Sequence, residues 1–207
     1  MKKGLVIFDC FGTLLDIDSF GPYKHFLEEI GLDIRDHYAR IMKEKDIDWW
    51  SFVDKKKVTL STYKNSEIEF KRQLEKDMQS VKPFLIDLEE RLLKLKEDYV
   101  VCLLSNLGQG YEVEIEKHIA PYIDKCFYSF EIGLIKPDVE SYKLVMNWAT
   151  QNFGPIANEH VYLIDDKEKN IRSAREMGIN ALLVNNAHIN SSYSIKAVFE
   201  FFDKKVV

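Results

Sequence analysis

The chain has 207 residues, 46% of them hydrophobic, enough for one core plus a smaller inserted unit. Its net charge of −5, with both signs interspersed, argues against nucleic acid as the main partner, because a backbone binder needs a net basic face. No apolar run approaches membrane-spanning length, and the run after Met1, Lys2 and Lys3 is too short for a signal peptide, so a cytoplasmic protein with no membrane partner is expected.

Leu5 to Phe8 reads as a buried strand. It stops on Asp9, and Gly12-Thr13 turn the chain at once. Residues 17–83 contain no such strand and read as helices. Pro22 opens one over 22–30, with Tyr23, Phe26, Leu27 and Ile30 at helical spacing and Gly31 as its stop. Ile34, Tyr38 and Ile41 share a face over 34–44. Trp49, Trp50 and Phe52 form an aromatic knot, expected in the core of this unit, and Lys55 to Lys57 a solvated basic run. Ser66 and Glu69 match a capping box, after which Phe70, Leu74 and Met78 repeat every four residues.

From Pro83 the pattern alternates. A helix is expected over 84–98, with Leu85, Leu88, Leu92 and Leu95 on one stripe. Val100 to Leu104 follows as a buried strand ending on Ser105-Asn106. Residues 111–119 read as helix, Cys126 to Phe130 as a short strand, and 138–150 as a helix facing inward through Tyr142, Val145 and Ala149. Val161 to Ile164 is a strand ending on Asp165-Asp166. A helix with Ile171, Ala174 and Met177, a strand over Ala181 to Val184 and a helix over 195–202 complete the chain. This alternation predicts an α/β fold, a Rossmann-like parallel sheet flanked by helices. Residues 1–16 and 84–207 are expected to form that core, and 17–83 a helical unit inserted in the first crossover. Cys10, Cys102 and Cys126 sit in apolar runs and are expected as reduced core thiols. The five histidines show no metal-binding spacing.

In a parallel sheet the strand ends share one edge, where ligands bind. That edge would gather Asp9, Asp165, Asp166, Lys136, Ser105 and Asn106. Crowded carboxylates repel unless a cation lies among them, and oxygen-only ligands suit Mg²⁺. A cation, a lysine and a serine hydroxyl together suit a dianionic phosphoryl group, and a spare carboxylate there is a candidate nucleophile.

The stretches FDCFGTL (8–14), LLSN (103–106), IGLIKPD (132–138) with Tyr142, and LIDDKEKNIRSAREMGI (163–179) occur in the order of four motifs of a known family. The chain resembles the haloacid dehalogenase-like superfamily, in the branch with a helical cap inserted after motif one. The resemblance covers residues 4–16 and 84–185 but not the cap. It implies Asp9 as the nucleophile, Ser105 and the Asn106 backbone as ligands of the transferring group, and Lys136 as its electrostatic anchor. It also implies Mg²⁺ held by Asp9, the main-chain carbonyl of Phe11, Asp166 and, directly or through water, Asp165. A small phosphorylated molecule is then the expected substrate.

One position departs from that pattern. Phosphatases of the family usually carry a second Asp two residues after the nucleophile, which protonates the leaving oxygen and then activates water. Phe11 can do neither. Loss of a general acid/base costs about 10²–10⁴ in rate, about 3–5 kcal/mol of barrier. The 2-haloacid dehalogenases resemble this chain in having an aromatic residue there, but they need no metal and normally replace the Asp pair. Phosphonate hydrolases also lack the acid and use a cap lysine, for which Lys24, Lys43 and 55–57 are candidates. Lys167, directly after the Asp pair, stands where a small polar residue is usual. Three readings therefore stay open: a Mg²⁺-dependent phosphohydrolase, a metal-independent dehalogenase-like hydrolase, and a non-catalytic binding protein.

Overall fold

A computed structural model of the chain describes residues 2–17, 42–45 and 60–205. The helix expected over 22–30, the faces built on Ile34, Tyr38 and Ile41, the aromatic group at 49–52, the run at 55–57, His25 and His37 lie outside these residues, as do the side chains of Ser66 and Phe70. Residues 42–45 form turns, so the helix expected over 34–44 does not extend through them.

The elements are β1 (Gly4–Phe8), β2 (Leu15–Asp16), α1 (Leu60–Gln79), β3 (Lys82–Pro83), α2 (Leu88–Asp98), β4 (Tyr99–Ser105) and α3 (Glu112–His118). They continue with β5 (Lys125–Tyr128), α4 (Ser129–Ile132), α5 (Val139–Phe153), β6 (Val161–Asp165), α6 (Glu168–Glu176), β7 (Asn180–Leu183) and α7 (Ile195–Lys205). Five strands form one sheet in the order β5-β4-β1-β6-β7, each neighbouring pair parallel. The first strand is thus the central one. The chain builds outward from β1 to one side, then crosses to the other, and this reversal opens a crevice at the carboxyl end of β1.

The apolar runs are continuous because both faces of the sheet are covered. Val6, Phe8, Val101 and Leu103 pack against Leu88, Leu92 and Leu95 of α2 and Val198, Phe199 and Phe202 of α7. The alternate residues Leu5, Ile7, Val100, Cys102 and Leu104 pack against Tyr142, Val145 and Ala149 of α5 and Ile171 and Ala174 of α6. Of the residues expected to face inward, Leu88, Leu92 and Leu95 on α2, Tyr142, Val145 and Ala149 on α5, and Ile171 and Ala174 on α6 are buried, while Met177, just past α6, is half-buried. Cys10 and Cys102 are buried free thiols and Cys126 is half-buried.

Three of the differences from expectation have an identifiable cause in the structure. The helix expected from residue 84 begins at Leu88, since Lys82 and Pro83 pair antiparallel with Asp16 and Leu15 and residues 84–87 make the turn out of that ribbon. The ribbon also places positions 16 and 82 side by side. The strand expected to reach Phe130 ends at Tyr128, since the Ser129 hydroxyl accepts from Leu107 N (2.9 Å) and its residue opens α4. Ser66 does not cap a helix: α1 already runs from Leu60, and Glu69 instead accepts from Arg72 at 2.7 and 2.9 Å.

Candidate active site

Asp9 follows the last residue of β1, and its N–H donates to Ile164 O at 2.8 Å, which aligns it with the end of β6. Asp165 is the last residue of β6 and Ser105 the last of β4. The strand ends therefore bring the expected edge together. Ser105 is buried there, 2% exposed.

Lys136 reaches this edge from the loop before α5. It is 1% exposed, and its Nζ donates to Asp9 Oδ1 at 2.5 Å and to Asp165 Oδ2 at 2.8 Å. Burial opposes its charge, but the two carboxylates outweigh that and hold the ammonium above the usual lysine value. Burial pushes the Asp9 carboxyl up to about 7, with Lys136 pulling back and Asp165 and Asp166 pushing the same way as burial. The directions are compatible: the two carboxylates favour the charged lysine, and Asp9 is reluctant to add a charge to an acidic cluster.

Asn106 supports the lysine. Its Nδ2 donates to Lys136 O and its Oδ1 accepts from Lys136 N, both at 2.8 Å. The peptide between Lys136 and Pro137 is cis. The side chain of Asn106 is thus committed to the lysine loop.

The two adjacent aspartates differ. Asp165 is fully buried and saturated: Oδ1 accepts from Lys167 N (2.8 Å), Oδ2 from Lys136, and both from Asn170 Nδ2 (2.9 Å). Asp166 is open. Its Oδ2 accepts from Lys167 Nζ at 2.6 Å, while its buried Oδ1 has no partner among the described residues. Gly12, at φ +86°, makes room for it, because a Cβ there would lie 2.5 Å from Asp166 Oδ2. Asp9 Oδ2 is also lightly engaged, accepting from Thr13 Oγ1 at 3.5 Å.

Among the described residues, Asp9, Asp165 and Asp166 form a group in which one carboxylate oxygen from each lies within 4.8 Å of the other two. An unpartnered buried carboxylate oxygen beside two more carboxylates fits a hard divalent cation, which takes oxygen ligands only. Phe11 lies in the turn beside this group, half-buried, its ring edge-on to Tyr111 at 6.1 Å. It presents no group that titrates.

Three supporting residues carried no signal strong enough to single out in the sequence. Asn170 bonds both oxygens of Asp165 from one turn into α6. Asn186 Nδ2 donates to Gly12 O and Thr13 O, each at 3.0 Å, and its Oδ1 accepts from Ile195 N, tying the turn after β1 to α7. Asp77, on the last turn of α1, accepts from Tyr111 Oη at 3.3 Å and so links α1 to the ring beside Phe11. Their spacing from their partners leaves no periodic trace, except for Asn170, which stands inside the fourth motif.

No protein-family model matches the sequence, and no curated protein matches it. Solved structures do. A HAD family enzyme from Bacteroides thetaiotaomicron, in complex with magnesium and inorganic phosphate, superposes with a TM-score of 0.63 over 91% of this chain and 97% of that one, at 22% identity. A candidate β-phosphoglucomutase from Thermotoga maritima gives 0.62 over the whole of both chains at 20% identity. A dehalogenase gives 0.57 over 96% of each chain at 17%. Fold and motif order thus agree: the chain has the haloacid dehalogenase-like fold, an α/β core with a five-stranded parallel sheet. None of its described helices is long and apolar enough to cross a membrane.

Proposed function

We propose that the chain is a Mg²⁺-dependent phosphohydrolase of a small phosphorylated molecule, working through an aspartyl-phosphate on Asp9. The observation that carries this reading is the meeting of Asp9, Lys136, Asp165 and Asp166 at one sheet edge, with an oxygen of Asp166 left unpartnered. Asp9, Asp166 and the main-chain carbonyl of Phe11 would hold the cation, with Asp165 assisting, and residues 17–83 would form a cap over the site. The similar Bacteroides enzyme was crystallised with magnesium and phosphate, which supports the choice of cofactor. When bound, Mg²⁺ supplies the positive charge that lets a phosphoryl dianion approach three carboxylates.

Asp9 does the covalent work. Lys136 occupies Oδ1, so Oδ2 is the freer oxygen to attack phosphorus as the bond to the leaving oxygen breaks. Ser105 donates its hydroxyl to the transferring group, joined by the Asn106 main-chain N–H, while the Asn106 side chain keeps Lys136 in place. Water then attacks phosphorus, the Asp9–phosphorus link breaks, and inorganic phosphate and a proton leave. Because Phe11 offers no proton, the leaving oxygen departs as an anion or is protonated by water. Substrates with good leaving groups, acyl phosphates among them, are therefore favoured.

The test is phosphate release from a panel of monoesters and acyl phosphates, with Mg²⁺ or with chelator, using Asp9→Asn as the control. Release that needs both Mg²⁺ and Asp9 supports the reading, and silence across the panel overturns it. Phe11 favours a second reading, a dehalogenase-like hydrolase using Asp9 without metal, since halide leaves unprotonated. Halide release from 2-haloacids in the presence of chelator separates the two. Failure of both assays leaves a non-catalytic binding protein.

A further inference from the structure

Lys167 takes no part in the reaction above. Its Nζ lies 2.6 Å from Asp166 Oδ2, on a side chain 62% exposed, against a carboxylate only 16% exposed. Three features tie this contact to the acidic cluster. The Lys167 main-chain N–H donates to Asp165 Oδ1 at 2.8 Å, so the ammonium is delivered from backbone already anchored there. Gly12 backs Asp166 Oδ2 so closely that no Cβ fits, which confines the carboxylate. The other oxygen of Asp166 is buried and unpartnered among the described residues.

The charges are then distributed simply. Lys136 lies between Asp9 and Asp165, and Lys167 is the cation on Asp166. A divalent cation that takes Asp166 meets an ammonium already bonded to the same carboxylate. The two repel at that distance. The lysine is the one able to leave, because its head is solvated and its stem flexible.

We propose that Lys167 is a displaceable internal counter-ion of Asp166, which competes with the metal cation for that carboxylate and so lowers the metal affinity of the site. This rests on the metal site of the proposed function. In the cation's absence the lysine keeps the aspartate pair from repelling itself. In its presence the ammonium is released toward solvent at the rim of the site.

The experiment measures Mn²⁺ binding, by the electron paramagnetic resonance signal of free Mn²⁺, to wild type, Lys167→Gln, Lys167→Arg and Asp166→Asn. Circular dichroism checks that each is folded. Lys167→Gln should bind Mn²⁺ about twofold to fivefold more tightly than wild type, the range an exposed ion pair carries. Lys167→Arg should stay near wild type, and the gap to Lys167→Gln should narrow as monovalent salt screens the pair. Equal or weaker binding by Lys167→Gln, with binding lost in Asp166→Asn, overturns the counter-ion role and leaves the metal site standing. Absence of Mn²⁺ binding in wild type and Lys167→Gln alike overturns both.

Discussion

Asn106 grips the main chain of Lys136 in both directions, donating to its carbonyl and accepting from its N–H at 2.8 Å each. The lysine whose head separates two carboxylates is thereby held at its root as well. Asn106→Ala should cost about 1–3 kcal/mol by leaving both backbone groups without that partner. In a chain of this size each kcal/mol lowers Tm by about 2–4 °C. Asn106→Asp keeps the acceptor but loses the donor, and should fall between the two. A thermal melt in which all three proteins coincide would remove the positioning role.

Lys136→Met should be the most damaging single change at the site. It leaves the buried Asp9 and Asp165 carboxylates without their shared cation. Breaking a buried ion pair from one side typically costs about 3–5 kcal/mol. Urea unfolding measures the loss. Added Mg²⁺ should recover part of it if the cluster binds the cation, by preferential binding to the folded state. A variant as stable as wild type would show that the pair contributes nothing.

Gly12→Ala tests the close approach to Asp166. The position has φ +86°, and the added methyl would meet Asp166 Oδ2 at 2.5 Å. The strained backbone should cost about 1–3 kcal/mol, and the displaced carboxylate should weaken Mn²⁺ binding. Unchanged metal affinity would mean that Asp166 does not hold the cation.

Phe11→Asp places a carboxylate two residues after Asp9, where the sequence resemblance leads one to expect an acid/base. If that absence is the only defect, turnover of poor leaving groups should rise by about 10²–10⁴, while acyl phosphates gain little. The comparison of kcat/KM across leaving groups checks it. A flat response would place a further defect elsewhere, for the Phe11 ring also packs against Tyr111.

Asp77 should give the protein a distinctive pH profile. Burial raises its carboxyl above the ordinary 3.8, against the opposing pull of the Tyr111 hydrogen bond and Lys76. Below pH 3.8 the group is protonated folded and unfolded, and costs nothing. As pH rises through 3.8 the unfolded chain ionises first, so stability falls until the native carboxyl has also ionised. The stability difference between wild type and Asp77→Asn should therefore shift against wild type over that window and be constant above it. A difference that is flat with pH would mean that Asp77 is not buried as the fold has it.

The sheet was readable because buried parallel strands need continuous apolar runs. Leu5 to Phe8, Val100 to Leu104 and Val161 to Ile164 are such runs, and all three lie in the central strands β1, β4 and β6. Boundaries were less readable where one long-range pairing set them, as at Pro83, where a two-residue ribbon delays the helix, and at Ser129, whose hydroxyl bonds Leu107. The capping-box pattern at Ser66 failed because a local pattern of this kind recurs by chance within a longer helix.

The candidate site divides the same way. Sequence alone determined that Asp9, Ser105 and Asp165 end strands of one parallel sheet, because chain direction and strand period are local properties that put strand ends on a common edge. It also exposed the absence of a titratable group at Phe11. Only the tertiary structure decided which oxygen meets which donor: that Asp165 is saturated while Asp166 keeps an open oxygen, that the Asn106 amide serves Lys136, and that Asn186 ties down Gly12 and Thr13 from more than 170 residues away. Those pairings depend on where the crossovers bring distant loops, and hydrogen-bond partners chosen across such separations leave no spacing in the chain.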